Sequence, residues 1–508
     1  MLKLLRRFAL IMVVLSSSLF VACGQDEPVD TLADFSKARH VFEVEFPFPT
    51  PERKIRTQLG MQGSSAAVIP GDPDIVESYQ SYGFEMVRLP QDDFCTYTLE
   101  GIFQDAEAAE SERSSYEFGN IDRLISGITS SGAQVLWQAT HDIGIDAGCG
   151  ETEGRHSGDI LADPTKHVNV VNNVLRHFNE GESDWDPEGQ SFDVRYVEYI
   201  NDPMGLGGYG ISAVDKYFED FQIFSLGIRA AFNGLAGNDS IKIVAPAHRV
   251  RSWPAARTAE KAFIYDLIDK VADEEIALDV LSLQFRMGDP YELARIVDDI
   301  RTYLDNQALV EIPIWITELA PEEEYDASLR KASGLEHQKY VGAHLIAAKI
   351  AWQETVDRIF PHRGTRRYEG ADGDILESAF FDVEGNERGG LLGFNAFRKI
   401  ESHTILRGSA VTSDGVALLA SRAPQGNSIS ILVSFPGWEA AAPQPVPISI
   451  SGLPEEIESF DWEFSEPSEF APFIFQIQER GTLSVLEGVA EYSFLLKPSG
   501  VARLDLSW

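Results

Sequence analysis

"VEYINDPMG", residues 197–205, opens as the end of an apolar strand, VRYVEYI (194–200), and stops at Asn201-Asp202-Pro203. An amide and a carboxylate side by side, just before a helix breaker, mark a strand that delivers polar groups at its C-terminal end. The chain repeats that layout. FEMVRL (84–89) carries Arg88 near its end, AQVLWQAT (133–140) runs into His141-Asp142, and IPIWIT (312–317) runs into Glu318. IKIVAPA (241–247), LDVLSLQF (278–285) and a first strand near QLGMQGS (58–64) read the same way.

Between these runs the apolar residues switch to helical spacing. Asn120 is placed to cap a helix on Ile121, Leu124, Ile125 and Ile128 that Gly132 ends. Further helices are predicted on Val168 to Phe178, on 214–232, on Phe263 to Val271, on Leu293 to Ile300 and from about His337 to Ile359. ESAFF (377–381), ending at Asp382, is expected to be the last strand of the series. Apolar strands each followed by a helix indicate a parallel sheet covered by helices, and eight such units close a (β/α)8 barrel. A doubly wound open sheet is the alternative, but no Gly-rich phosphate loop follows any strand.

After about Ser402 the texture changes. TSDGVALLASR (412–422), GNSISILVSF (426–435), PVPISISG (445–452) and VARLDLSW (501–508) are short strands between turn residues, which predicts a β-sandwich over 403–508. The expected organisation is therefore a barrel over 41–402 and a sandwich after it. HVFEVEF (40–46), at the start of 41–50, is expected to supply a strand that joins or packs beside the sandwich.

The first 22 residues read as a signal segment: basic MLKLLRR, a short apolar stretch, then Val21-Ala22 before Cys23. That pattern is similar to a bacterial lipoprotein signal with Cys23 acylated, the other reading being an ordinary secretory signal. Gly24 after Cys23 leads to the expectation of an outer-membrane anchor in a Gram-negative host, with 23–40 as the tether. Removing the segment leaves 39 basic against 80 acidic residues, a charge of −41. A nucleic-acid partner is thereby excluded, because like charges repel. Cys95 and Cys149 follow two neighbouring strands, and either form a disulfide or are two buried thiols. The sequence leaves oligomeric state undetermined.

Arg88, His141, Asp202 and Glu318 all fall at C-terminal strand ends, where barrel enzymes keep their chemistry. Metal-ligand spacing, a nucleophile elbow and a phosphate loop are not seen, and no metal or other cofactor is expected. Trp137 and Trp315 lie within apolar strands, and barrel packing is preferred to a sugar platform for both.

Several signposts in order give the chain a resemblance to the glycoside hydrolases of clan A, and most to family 39, which includes β-xylosidases and α-L-iduronidases. They are VRLPQDDF (87–94), YEFGNIDRLISGITSSGAQVLWQ (116–138), YINDP (199–203), IVAPA (243–247), IPIWITEL (312–319), GFNAFRKIESH (393–403) and DGVALLAS (414–421). The resemblance implies a carbohydrate substrate, with Glu318 as nucleophile, Asp202 as acid/base and Asn201 as donor to a sugar 2-hydroxyl. It also implies a retaining double displacement, in which ionised Glu318 attacks and protonated Asp202 releases the leaving oxygen. Repulsion from Glu318, with burial, is expected to keep Asp202 protonated.

The sequence departs from that pattern in places. Pro90 stands for a usual His, and Asp202 for a Glu one methylene longer. Gln284 and Arg286 replace a usual His and Tyr, so with Arg88 and His141 they are expected to contact substrate. Arg286 either recognises an anionic sugar or pairs with a neighbouring carboxylate. The competing readings are a carbohydrate-binding lipoprotein on the same scaffold and, behind it, a uronate lyase.

Overall fold

The computed structural model describes residues 41–46, 61–62, 82, 84–89, 98–139, 161–204, 209, 213–232, 241–250, 259–286, 289–320, 334–361, 380, 387, 389–412, 414–437, 442–468 and 474–508. The signal segment, the tether, Cys23, Cys95, His141 and Cys149 lie outside the described residues. β1 (Phe42–Glu45) pairs with a strand far along the chain. β2 (Met61–Gln62), β3 (Met86–Leu89), β4 (Gln134–Ala139), β5 (Tyr196–Tyr199), β6 (Lys242–Val250), β7 (Val280–Arg286), β8 (Ile314–Ala320) and β9 (Arg358–Pro361) then pair in that order, all parallel. The first and last of these strands lie against each other, which curls the sheet into a barrel.

Helices cover its outside. They are α1 (Gly119–Ser130), α2 (Pro164–Asn179), α3 (Val214–Phe232), α4 (Ala259–Ala272), α5 (Pro290–Asn306) and α6 (Gly334–Ala351), followed after β9 by α7 (Leu391–Arg398). The local chemistry explains several boundaries. Asp163 caps α2 by accepting from the Thr165 and Lys166 amides, both at 3.0 Å, with Pro164 in the first helical position. Asp289 and Pro290 do the same for α5. The cap position of α1 is Phe118 rather than Asn120, which falls inside the first turn. Gly132, at φ +87°, takes the left-handed conformation that turns the chain into β4.

The eighth barrel strand differs from expectation. It is Arg358–Pro361, and α6 ends at Ala351, well short of Ile359. Phe380, the described residue of ESAFF, lies outside the strands, packed on Phe84 and Phe394. Ala348, Trp352, Val356 and Ile359 keep helical spacing across the true helix end, and a four-residue strand is too short for its own period to show.

Inside the barrel the strand beginnings form an apolar plug of Met86, Leu136, Val244, Val280, Trp315 and Phe360, with Tyr196 against it. Trp315 is thus packing, and Trp137, fully buried, belongs to the layer between sheet and helices.

The C-terminal strands are β10 (Thr404–Ile405), β11 (Ala410–Val411), β12 (Ala417–Arg422), β13 (Ser428–Phe435), β14 (Gln444–Ser451), β15 (Ser459–Pro467), β16 (Phe475–Ser484), β17 (Ala490–Leu496) and β18 (Gly500–Ser507). One sheet has the order β1-β14-β17, and the other has the order β10-β12-β13-β18-β15-β16 with β11 on β12. The sheets enclose a core around Val44, Ile431, Ile448, Phe460 and Leu504. A second apolar layer joins the two parts: Ala343, Ile346, Ala347 and Ile350 of α6 meet Leu419, Leu432 and Val501.

Candidate active site

Strand alternation lifts the polar residues above the plug. Two residues beyond Met86, Leu136 and Tyr196 come Arg88, Gln138 and Glu198, on the same face and all nearly or wholly buried. Their side chains meet. Arg88 Nε donates to Glu198 Oε2 at 2.7 Å, and Gln138 Nε2 donates to the same oxygen at 2.8 Å. Arg88 Nη2 donates to Asn201 Oδ1 at 2.7 Å, and Gln284 Nε2 donates to it too. With donors converging on its oxygen, the Asn201 amide has one sensible orientation, which leaves its N–H2 as the donor end.

Two irregularities bring the remaining groups inward. Along β6, Pro246 pairs with Ser282, and His248, not Ala247, pairs with Leu283. Ala247 is therefore an extra residue, at φ +51°, and Arg249 instead of His248 comes level with Gln284. Along β8, Ile316 pairs with Leu283 and Glu318 with Gln284, so Thr317 is extra. Such bulges re-aim side chains. Without them Thr317 and His248 would share the interior face with Gln284; with them, Glu318 and Arg249 do.

Asp202 comes from the same level. Ile200 and Asp202 both have positive φ, +41° and +43°, conformations costing about 1–3 kcal/mol each and most unusual for a β-branched residue. The Asp202 amide donates to Ala247 O at 3.0 Å, and Asp202 Oδ1 accepts from the Arg249 amide at 3.2 Å, so the bulge holds the strained turn. The His248 ring lies behind it, Nδ1 3.8 Å from Oδ1.

Arg249 joins the two acids. Its Nε is 3.7 Å from Asp202 Oδ2 and its Nη2 is 3.7 Å from Glu318 Oε1. Those nitrogens are about 2.3 Å apart within one guanidinium, which bounds the two carboxyl oxygens at about 10 Å or less. Arg286 Nε also donates to Glu318 Oε1, at 2.8 Å. Glu318 has no exposed side-chain surface, whereas Asp202, Arg249 and Arg286 are 11%, 20% and 23% exposed and form the open side of the cluster.

The structure therefore brings together Asn201, Asp202, Gln284, Arg286 and Glu318. Arg88 and Gln284, expected to touch substrate, are both buried and donate to Asn201 Oδ1. Arg286 pairs with Glu318. Sequence reasoning missed Gln138, Glu198, His248 and Arg249. Glu198 had a signal, a charged residue inside the apolar YVEY of a strand; Arg249 had none, since strict alternation points it outward.

No family model matches the sequence, and no curated protein matches it. Solved structures do. The fold is similar to a glucosidase from Croceicoccus marinus (TM-score 0.62, 18% identity, 92% of this chain and 99% of that one). It is similar also to a monomeric beta-xylosidase from Caulobacter crescentus (TM-score 0.61, 12% identity, covering 92% and 99%). An alpha-L-arabinofuranosidase from Thermotoga maritima is a third (TM-score 0.58, 12% identity, covering 92% and 99%). The chain thus has the fold of these glycosidases, a (β/α)8 barrel followed by a β-sandwich.

Proposed function

We propose that the protein is a retaining glycoside hydrolase of family 39 type, with Glu318 as nucleophile and Asp202 as acid/base. One observation carries the reading: a single guanidinium, Arg249, lies 3.7 Å from both carboxyls, so the two acids come together at the carboxyl ends of the strands. Their bound of about 10 Å takes in the spacing of glycosidase acid pairs. Glu318 attacks the anomeric carbon while Asp202 protonates the departing oxygen; Asp202 then deprotonates the water that frees the sugar. The Asn201 N–H2 is the donor for the 2-hydroxyl, held by the three residues that fix its oxygen.

The substrate is a β-linked or equatorially equivalent glycoside within an oligo- or polysaccharide. Each arginine of the described cluster lies against a carboxyl group, Arg88 on Glu198, Arg249 between Asp202 and Glu318, and Arg286 on Glu318, which favours a neutral sugar over one that needs an arginine of its own. Cys23 is the acylation site of an outer-membrane anchor, a reading supported by the sequence alone.

Asp202→Asn and Glu318→Gln, assayed on aryl β-glycosides with NMR of the released anomer, test this. Each is expected to cost roughly 10²–10⁴-fold in kcat/KM, and the β-anomer is expected first. Wild-type protein that hydrolyses no glycoside yet retains glycan supports the second reading, a carbohydrate-binding lipoprotein. The observation favouring it is the same Arg249, a cation 3.7 Å from the carboxyl that must carry a proton to act as the acid.

A further inference from the structure

We propose a second carbohydrate site, for a neutral oligosaccharide, in a cleft on the outer helical layer. The cleft has a volume of about 610 Å³, within the range of small-molecule sites. Its floor is one face of α2, where Asn169, Asn172, Asn173 and Arg176 follow one another at helical spacing; Trp185 and Glu180 stand on the turn beyond. That turn leads from α2 into β5 and so lies toward the amino ends of the strands. Asp202 and Glu318 are at the opposite, carboxyl ends, and none of the cluster around them lines the cleft.

The lining is unusual for a helix surface. Asparagine is a poor helix former, yet α2 spends three of them on one face. Asn173 is held in place by donating to Glu110 O at 2.7 Å and to the Tyr116 hydroxyl at 3.0 Å. Asn172 is only 9% exposed, and its amide oxygen has no donor among the described residues. Trp185 is fixed by its indole N–H to Ser111 O at 2.8 Å and by Tyr116 edge-on at 5.7 Å.

Side chains that donate and accept, Asn169 and Arg176 with Glu110 and Glu180, beside a rigid aromatic ring, match a pyranose, which offers hydroxyls at its rim and C–H groups on its faces. The carboxylates Glu110, Glu180 and Asp186 outnumber Arg176 in the same wall and disfavour an anionic sugar. The site would keep a glycan chain on the protein at a place remote from hydrolysis.

Equilibrium dialysis of the mature chain carrying Glu318→Gln, with labelled xylohexaose at saturation, tests the proposal. Trp185→Ala, and separately Arg176→Ala, whose side chain is 42% exposed and so spares the fold, are each expected to lower bound sugar by one equivalent per chain, with thermal melting unchanged in Arg176→Ala. Aryl-glycoside hydrolysis by the same variants with Glu318 restored is expected to equal that of wild type. Unchanged sugar binding in both variants, or binding of oligogalacturonate lost with them, overturns it. If catalysis is absent altogether, the parent binds one equivalent and the variants none, so this site is judged apart from the hydrolase reading.

Discussion

The ion pair beneath Asn201 makes a sharp prediction. Arg88 and Glu198 are both fully buried and meet at 2.7 Å, so Arg88→Met leaves a carboxylate in the barrel with Gln138 as its remaining donor among the described residues. Removing one partner of such a pair costs about 3–5 kcal/mol, and Glu198→Leu should cost a similar amount by stranding the guanidinium. The double variant, Arg88→Met with Glu198→Leu, strands neither charge. Its remaining cost is the donor lost by Asn201 and the acceptor lost by Gln138, about 1 kcal/mol each. The singles sum to about 6–10 kcal/mol and the double should cost about 2, a coupling of at least about 4 kcal/mol. Urea unfolding of the four proteins, followed by far-ultraviolet circular dichroism, measures it. A double variant as unstable as the summed singles refutes the pairing. A coupled double variant with full hydrolytic activity refutes the separate claim that Arg88 positions Asn201.

Three shorter predictions follow from other parts of the molecule. Burial pushes the Lys349 amine down to about 7, against Glu401 and Glu85, which act to raise it. The unfolded chain binds the extra proton between that value and the ordinary lysine range, so stability rises with pH across that window. Lys349→Met should therefore be more stable than wild type at pH 6, by an amount on the order of 3–5 kcal/mol, and the gap should close toward pH 10; a gap that does not change with pH counts against it. Gly227→Ala would place a Cβ 2.8 Å from Val168 Cγ2 where α2 and α3 meet, costing about 1–3 kcal/mol, and Val168→Ala should restore most of it in denaturant unfolding. Arg286→Met removes the Arg286 donor from Glu318 Oε1 and should lower kcat roughly 10–100-fold with little change in KM, whereas a substrate-binding role would raise KM instead.

The strand and helix order was legible because apolar runs and helical spacing alternate cleanly from Phe84 to Glu318. It failed at β9, where four residues of strand follow a helix whose spacing runs on past its end. Asn201, Asp202 and Glu318 were legible as polar residues at strand ends. The hydrogen bonds of Arg88 and Gln284 were not, since they depend on Glu198 and Asn201 arriving from another part of the chain. Arg249 was invisible because its direction is set by one surplus residue, Ala247, that no period predicts.

Those surplus residues, Ala247 and Thr317, have a consequence for how such a barrel can change. Below them the interior is filled by Val244 and Trp315 in regular alternation; above them the phase is reset. Inserting or removing one residue there exchanges which side chains look into the cavity and leaves the foundation untouched. Chemistry at the mouth is thereby uncoupled from packing at the base, and a new set of reactive groups can be tried without first rebuilding the protein that carries them.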